Sequence, residues 1–218
     1  MVLASSVMSE RMTASERRTQ LVEIGKQVFA ELGYDAASVE VIAARAKVSK
    51  PIVYEHFGGK EGLYAVVVDR ETTRLLEMIT SRLGPKLGAR EQVYESAMAF
   101  LDYIEEDPDG FRVLIRDSPT GFGTGGMAGL LSDVAAKAED VLEGFFSEAG
   151  LDATYAPLYA HALVGMVVRV GAWWAEERTP AKEIVASHLT ALVYVGLSRL
   201  PRDPVRGLRV PDRRRQAL

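Results

Sequence analysis

The segment "KVSKPIVYEHFGGKEGLY", residues 47–64, decides how the whole chain is read. Pro51 lies near the start of what otherwise looks like a short helix. A proline in the first helical turn loses no hydrogen bond, because that amide has no intrahelical partner anyway. It also disfavours helical geometry at Lys50, so a helix is expected to open at Ser49 or Lys50 with the proline as its start signal. Val53 and Phe57 stack inward at i, i+4, while Lys50/Tyr54 and Ile52/His56 form two further pairs running outward. The two glycines at 58 and 59 turn the chain. The result is a short helix anchored on one side and presenting lysine, tyrosine and histidine on the other.

Working outward, "ERRTQLVEIGKQVFAELG" (16–33) spaces Leu21, Ile24, Gly25, Val28, Phe29 and Leu32 as the apolar stripe of an amphipathic helix, with Gly33 where a left-handed cap falls. "GYDAASVEVIAARA" restarts the pattern, with Ser38 as N-cap and Val39, Ile42, Ala43 and Ala46 facing inward. A long helix is predicted from about Lys60 to Leu83. Further helices are expected at 89–107, near 109–117, at 127–149, 154–178 and 180–199, the last two split by Thr179-Pro180. No alternating strand pattern and no repeat is visible, so the fold class is all-α.

Composition narrows the function. The 218 residues are 48% hydrophobic, enough for a sizeable core, and include no cysteine, which removes disulfides and thiolate metal sites and fits a reducing cytosol. The first ten residues lack a basic region followed by an apolar run, so no secretory leader is expected and the location is read as cytoplasmic. The longest apolar stretch, 156–174, carries His161 and Arg169 and reads as a buried helix rather than a membrane span. His161 and His188 are isolated, so no metal is expected. The net charge of −4 is uneven: 10–60 carry eight Lys/Arg against seven Asp/Glu, 61–200 twelve against twenty-one, and 201–218 six against two. A polyanion would therefore meet one of the two ends and not the acidic middle.

Two short helices joined by a tight turn, the second polar on its outer side, form a helix-turn-helix. A major groove admits one α-helix, whose exposed side chains reach base edges and phosphates. Lys50 suits guanine or a phosphate, and Pro51 and Ile52 suit a thymine methyl. Tyr54, His56, Ser38 and Ser49 are placed as phosphate donors, and Lys60 adds charge at the start of the fourth helix.

These residues also carry a resemblance. "IAARAKVSKPIVYEHFGGKEGLY" (42–64) resembles the helix-turn-helix signature of the TetR (tetracycline-repressor) family of bacterial transcription regulators. The matching residues are Ile42-Ala43, Val48-Ser49, Tyr54, His56-Phe57, Lys60-Glu61 and Leu63, within about 17–68. Lys47 departs from the pattern, standing where the turn usually has glycine. A left-handed lysine there costs roughly 1 kcal/mol.

The resemblance implies a DNA-binding head over 13–59 joined by a long helix to a helical ligand-binding and dimerisation domain over 60–200. Residues 1–12 and the arginine-rich 201–218 are expected to be disordered tails. It further implies a homodimer formed through about 154–199, a palindromic double-stranded operator, repression, and release by a small-molecule effector. Phe100, Tyr103, Phe111, Met127, Arg169 and Trp173 are candidate lining residues for an effector pocket, against the alternative of ordinary core or dimer interface. Arg169, in an apolar helix, either meets an anionic partner or snorkels to water.

Two other functions stay open. One keeps the DNA-binding head and gives the large domain only dimerisation. The other is an enzyme using Gly121, Gly123 and Gly126 of "GFGTGG" as a dinucleotide loop, which requires a second strand that the sequence lacks. No enzymatic activity and no cofactor are expected.

Overall fold

The structure, a computed structural model, describes residues 12–115 and 127–202, with the backbone alone for 127–133. The described elements are α1 (Ala14–Ala36), α2 (Val39–Ala46), α3 (Lys50–Phe57), α4 (Lys60–Arg82), α5 (Ala89–Glu106), α6 (Pro108–Ile115), α7 (Met127–Ala149), a 3₁₀ turn (Ala153–Tyr155), α8 (Ala156–Glu177) and α9 (Lys182–Ser198). Among the described residues there is no strand. The expected tails and the glycine loop at 119–126 lie largely outside them.

The chain divides into two compact units, Met1–Glu77 with Tyr103–Leu130 and Met78–Asp102 with Leu131–Leu218. The first unit does not stop at residue 59, where the sequence suggested a boundary. Leu63, Tyr64, Val67 and Val68 of α4 are buried in it. A three-helix head alone is small for a self-sufficient core, so it borrows apolar surface from the helix that follows.

In this first unit α1 packs on α2 and α6, and α2 packs on α3. The start of α1 is fixed by a capping box, in which Thr13 Oγ1 accepts from the Glu16 amide at 3.2 Å and Glu16 Oε2 accepts from the Thr13 amide at 2.8 Å. Leu21, Val28 and Phe29 of the expected stripe are buried, whereas Leu32, just before the kink at Gly33 (φ 79°), is exposed. The inward face of α2 is as read: Val39, Ile42, Ala43 and Ala46 are all buried.

The unit also holds an ionic cluster that no local pattern announces. Lys26 Nζ of α1 lies 2.6 Å from Asp107 Oδ2 and 3.4 Å from Glu71 Oε1. Arg74 Nη1 of α4 donates to the same Asp107 oxygen, the Gly110 amide caps α6 on Asp107 Oδ1 at 2.8 Å, and Tyr103 donates its hydroxyl to Glu71 Oε2 at 3.1 Å. Every buried charge here has an opposite partner and further hydrogen bonds, the condition under which such groups are tolerated.

In the second unit Asp102 of α5 is shared between Arg82 of α4 and Lys182 of α9, each at 2.6 Å. A second apolar cluster gathers Leu142 and Phe146 of α7 with Ala156 and Ala160 of α8. Trp174 is buried and donates its indole N–H to the Pro180 carbonyl at 2.8 Å.

Candidate DNA-binding surface

The turn between α2 and α3 is built by backbone hydrogen bonds. Ser38 Oγ caps α2 by accepting from the Val41 amide at 3.3 Å. At the other end Lys47 takes the left-handed conformation expected of it (φ 55°, ψ 42°). Its amide donates to the Ala44 carbonyl at 3.1 Å, and the Val48 amide donates to the Ala43 carbonyl at 3.0 Å. That pair of bonds is a Schellman closure, which satisfies two carbonyls that would otherwise be left at the helix end.

Helix α3 then begins at Lys50 with Pro51 in its first turn, and Ser49 at the cap position makes no side-chain capping bond. Val53 anchors the helix with no exposed surface. Ser49, Lys50, Pro51 and Tyr54 are exposed, Tyr54 by 54%. Ile52 and His56 differ from the expectation of a free outward pair, because both are half-buried and form the edge of the face. Phe57, expected inward, is also half-buried, because Arg18 of α1 covers its ring at 4.5 Å. The Arg18 guanidinium also donates to the His56 carbonyl at 2.7 Å, tying the C-terminus of α3 to α1.

The α3–α4 turn depends on its glycines. Gly58 is left-handed (φ 73°), a conformation that costs a side-chain-bearing residue energy. A Cβ on Gly62 would overlap the Phe57 carbonyl oxygen, so the first turn of α4 can lie this close to the end of α3 only with glycine there. This turn is what sets the projection of α3.

The cations of the head are largely engaged. Lys50 Nζ pairs with Glu40 Oε1 of α2 at 2.6 Å, and Arg45 pairs with Glu31. Lys60, expected to face a phosphate, is half-buried. It donates to the Tyr34 carbonyl at 3.0 Å and sits 4.2 Å from the centre of the Tyr34 ring. The Tyr34 hydroxyl donates to Glu61 Oε1 at 3.2 Å, and burial, followed by the charge of Glu61, pushes this phenol up to about 12. Arg18, Glu40 and Tyr34 were not singled out from the sequence. Their contacts span 38, 10 and 26 positions, beyond the reach of any helical spacing.

The six residues offered for an effector pocket separate. Phe100, Tyr103 and Phe111 are buried, and the Tyr103 hydroxyl, raised first by burial and then by the charges of Glu71 and Asp107, stays protonated on Glu71. Arg169 and Trp173 are exposed, Trp173 by 48%, so Arg169 reaches water and meets no buried anion among the described residues. The side chain of Met127 lies outside the described residues. An open cleft of about 420 Å³ in the second unit is lined by Leu87, Arg90, Glu91, Tyr94, Glu95, Ser187 and Thr190, and by none of the six.

An all-helical chain with this turn, a groove-sized second helix and an exposed lysine, proline and tyrosine belongs to the helix-turn-helix regulators of transcription. Two sequence profiles narrow the class: that of bacterial regulatory proteins of the tetR family matches 21–67, and that of the tetracyclin repressor-like C-terminal domain matches 78–205. The chain belongs to the TetR family. It is 30% identical over 194 residues to the HTH-type transcriptional activator FasR of Mycolicibacterium smegmatis, with 88% of this chain and 87% of that one covered. It is 38% identical over 61 residues to the HTH-type transcriptional repressor Rv3405c of Mycobacterium tuberculosis, which covers 28% of this chain and 32% of that one. Among solved structures, a TetR-like regulator from Rhodococcus sp. RHA1 superposes with a TM-score of 0.72 at 24% identity, over 87% of this chain and all of that one. The protein is a DNA-binding transcriptional regulator and not an enzyme.

Proposed function

We propose that the protein binds a palindromic operator as a homodimer, reads it with Ser49, Lys50, Pro51 and Tyr54 of α3, and is released by a small-molecule effector. The observation that carries the DNA reading is the arrangement of α3: one fully buried anchor, Val53, beneath an exposed cation, proline and tyrosine in two successive turns. Ser38, His56, Ile52 and Lys60 are assigned to the flanks of that surface. Ser38 keeps a hydroxyl proton to donate while its oxygen caps α2.

Dimerisation is supported by a largely apolar stripe, broken by Arg169, that no described residue of the single chain covers. On α8, Leu158, Ala162, Gly165, Arg169 and Trp173 are exposed at intervals of four, three, four and four, and on α9 Ile184, Leu192 and Val195 are exposed. Leu158 and Leu192 are each 64% exposed, and scattered single leucines do not make a stripe of this length. Residues 153–177 also have the length and mean hydropathy of a membrane span, with 22% of the apolar window buried. A second copy of the chain accounts for the same exposed surface and gives the twofold symmetry that a palindrome requires.

Repression is the expected sign of regulation, because a dimer seated on a promoter blocks polymerase. The FasR likeness favours a second reading, activation, from an operator lying upstream of a promoter. Selecting duplexes from a random DNA pool, mapping them to the genome and weighing the complex by sedimentation tests the operator and the dimer. The expected result is a palindrome bound by two or four chains, lost when Leu158→Glu/Leu192→Glu renders the protein monomeric. A double variant that stays dimeric would remove α8 and α9 from the interface.

A further inference from the structure

The lead cation of α3 is held by an acid on the neighbouring helix. Lys50 Nζ and Glu40 Oε1 are 2.6 Å apart, each in the first turn of its helix and each more than half exposed. Because the two side chains meet, Glu40 shares whatever surface Lys50 faces. The pair does little for the fold, since an exposed ion pair shifts an equilibrium by at most about fivefold. The packing of α2 on α3 rests instead on buried Val39, Ile42, Ala43, Ala46 and Val53.

On a DNA-facing surface a carboxylate is costly, because phosphates repel it. It is also informative, because it can accept a hydrogen bond from the exocyclic amine of cytosine but from no phosphate oxygen. Non-specific affinity is almost wholly electrostatic. A head that holds Lys50 on Glu40, Arg45 on Glu31 and Lys60 on Tyr34 keeps that component small.

Resting on the reading of α3 as the groove helix, we propose that Glu40 is a specificity-determining residue, which withholds Lys50 from phosphates on random duplex and releases it only where bases satisfy both side chains. On random DNA, Lys50 must abandon the carboxylate and leave it facing phosphates. At a matched site, Lys50 takes a guanine edge while Glu40 takes a neighbouring cytosine amine. Hydrogen bonding and the charge of Lys50 hold the Glu40 carboxyl below its ordinary value, so it stays ionised throughout the neutral range.

The experiment compares wild type, Glu40→Gln, Lys50→Ala and the double variant on two duplexes, one selected from a random pool by the wild type and one a scramble of equal composition. Glu40→Gln is expected to raise affinity for the scramble about fivefold, as removal of one adjacent unit charge implies. Its log–log salt slope should steepen by about 0.9 as Lys50 engages one phosphate. Affinity for the selected duplex should stay level or fall, so that the ratio between the two duplexes narrows. In the Lys50→Ala background the same change should leave the salt slope unaltered. Equal gains on both duplexes, an unchanged slope, or the same slope change without Lys50 would overturn the proposal. If Lys50→Ala/Tyr54→Ala binds the selected duplex as wild type does, the groove-helix reading itself falls, whatever Glu40 does.

Discussion

Lys26 and Asp107 lie 81 positions apart and meet at 2.6 Å inside the first compact unit, where their charges join α1 to the start of α6. Burial alone would push each group toward its neutral form. For Asp107 that effect is outweighed by the hydrogen bonds from Lys26 and the Gly110 amide and by the charges of Lys26 and Arg74, so its carboxyl ends below the ordinary value. For Lys26 burial is outweighed by the bond to Asp107 and the charges of Glu71, Asp107 and Glu23, so its ammonium ends above the ordinary value.

Asp107→Asn should therefore cost about 3 kcal/mol of stability near neutral pH, the low end for breaking a buried pair, because Lys26 keeps Glu71 and Glu23 as partners. The depressed carboxyl contributes fully above the unfolded value of about 3.9 and loses that contribution as pH falls through its lower folded value. The raised ammonium contributes fully below about 10.4 and loses it as pH rises through its higher folded value. Urea midpoints across pH should show a wild-type advantage that is flat between about pH 5 and 9 and shrinks toward the acid end. A constant gap down to the lowest pH would show that the carboxylate charge is not what stabilises this cluster.

Gly62→Ala should disable DNA binding more than it lowers stability. The new methyl group meets a backbone oxygen, that of Phe57, which no rotamer change can move aside. The α3–α4 turn must open, and α3 leaves its angle while the core beneath α1 persists. Helical content by circular dichroism should be close to wild type while affinity for a selected duplex drops at least about tenfold, as about 1.4 kcal/mol of misdocking would produce.

Lys47→Gly should stabilise the protein slightly. Relief of a left-handed side chain is worth roughly 1–2 kcal/mol, and the added freedom of glycine in the unfolded chain takes back roughly 0.5–1. A net gain of about 0.5 kcal/mol should appear as a small rise in the urea midpoint. A loss would mean that the Lys47 side chain makes a contact that outweighs its backbone strain.

Tyr54→Phe should leave stability unchanged, since the ring is more than half exposed, and weaken operator binding about tenfold, the scale of one hydrogen bond to a charged acceptor. Affinity titrations at several salt concentrations separate this from lost charge, because the slope near −0.9 per phosphate neutralised should not move. A changed slope would place Tyr54 indirectly, through a neighbouring cation.

Much of the head was legible because its signals are local. The Ser38 cap, the Pro51 start and the inward face of α2 each depend on residues within one or two helical turns, whereas the left-handed Lys47 came only with the family resemblance. What escaped depends on distance. Glu71 sits on α4 among Val67, Val68 and Leu75, and nothing nearby says that a buried acid there has Lys26 and Tyr103 as partners. Lys60 looked free because Tyr34, its acceptor, lies 26 positions away on α1. The sequence left Arg169 between an anionic partner and water, and it lies on the exposed stripe of α8, facing water.

Asp102 holds two cations from different helices, Arg82 and Lys182, with one carboxylate. Redundancy therefore runs in one direction only. A lineage drifting at position 82 or 182 keeps a neutralised acid and a folded intermediate from which the other base can later change, whereas drift at 102 takes the shared carboxylate from both bases at once. Substitutions should accumulate on the two basic positions first, and the aspartate should be the last of the three to be replaced.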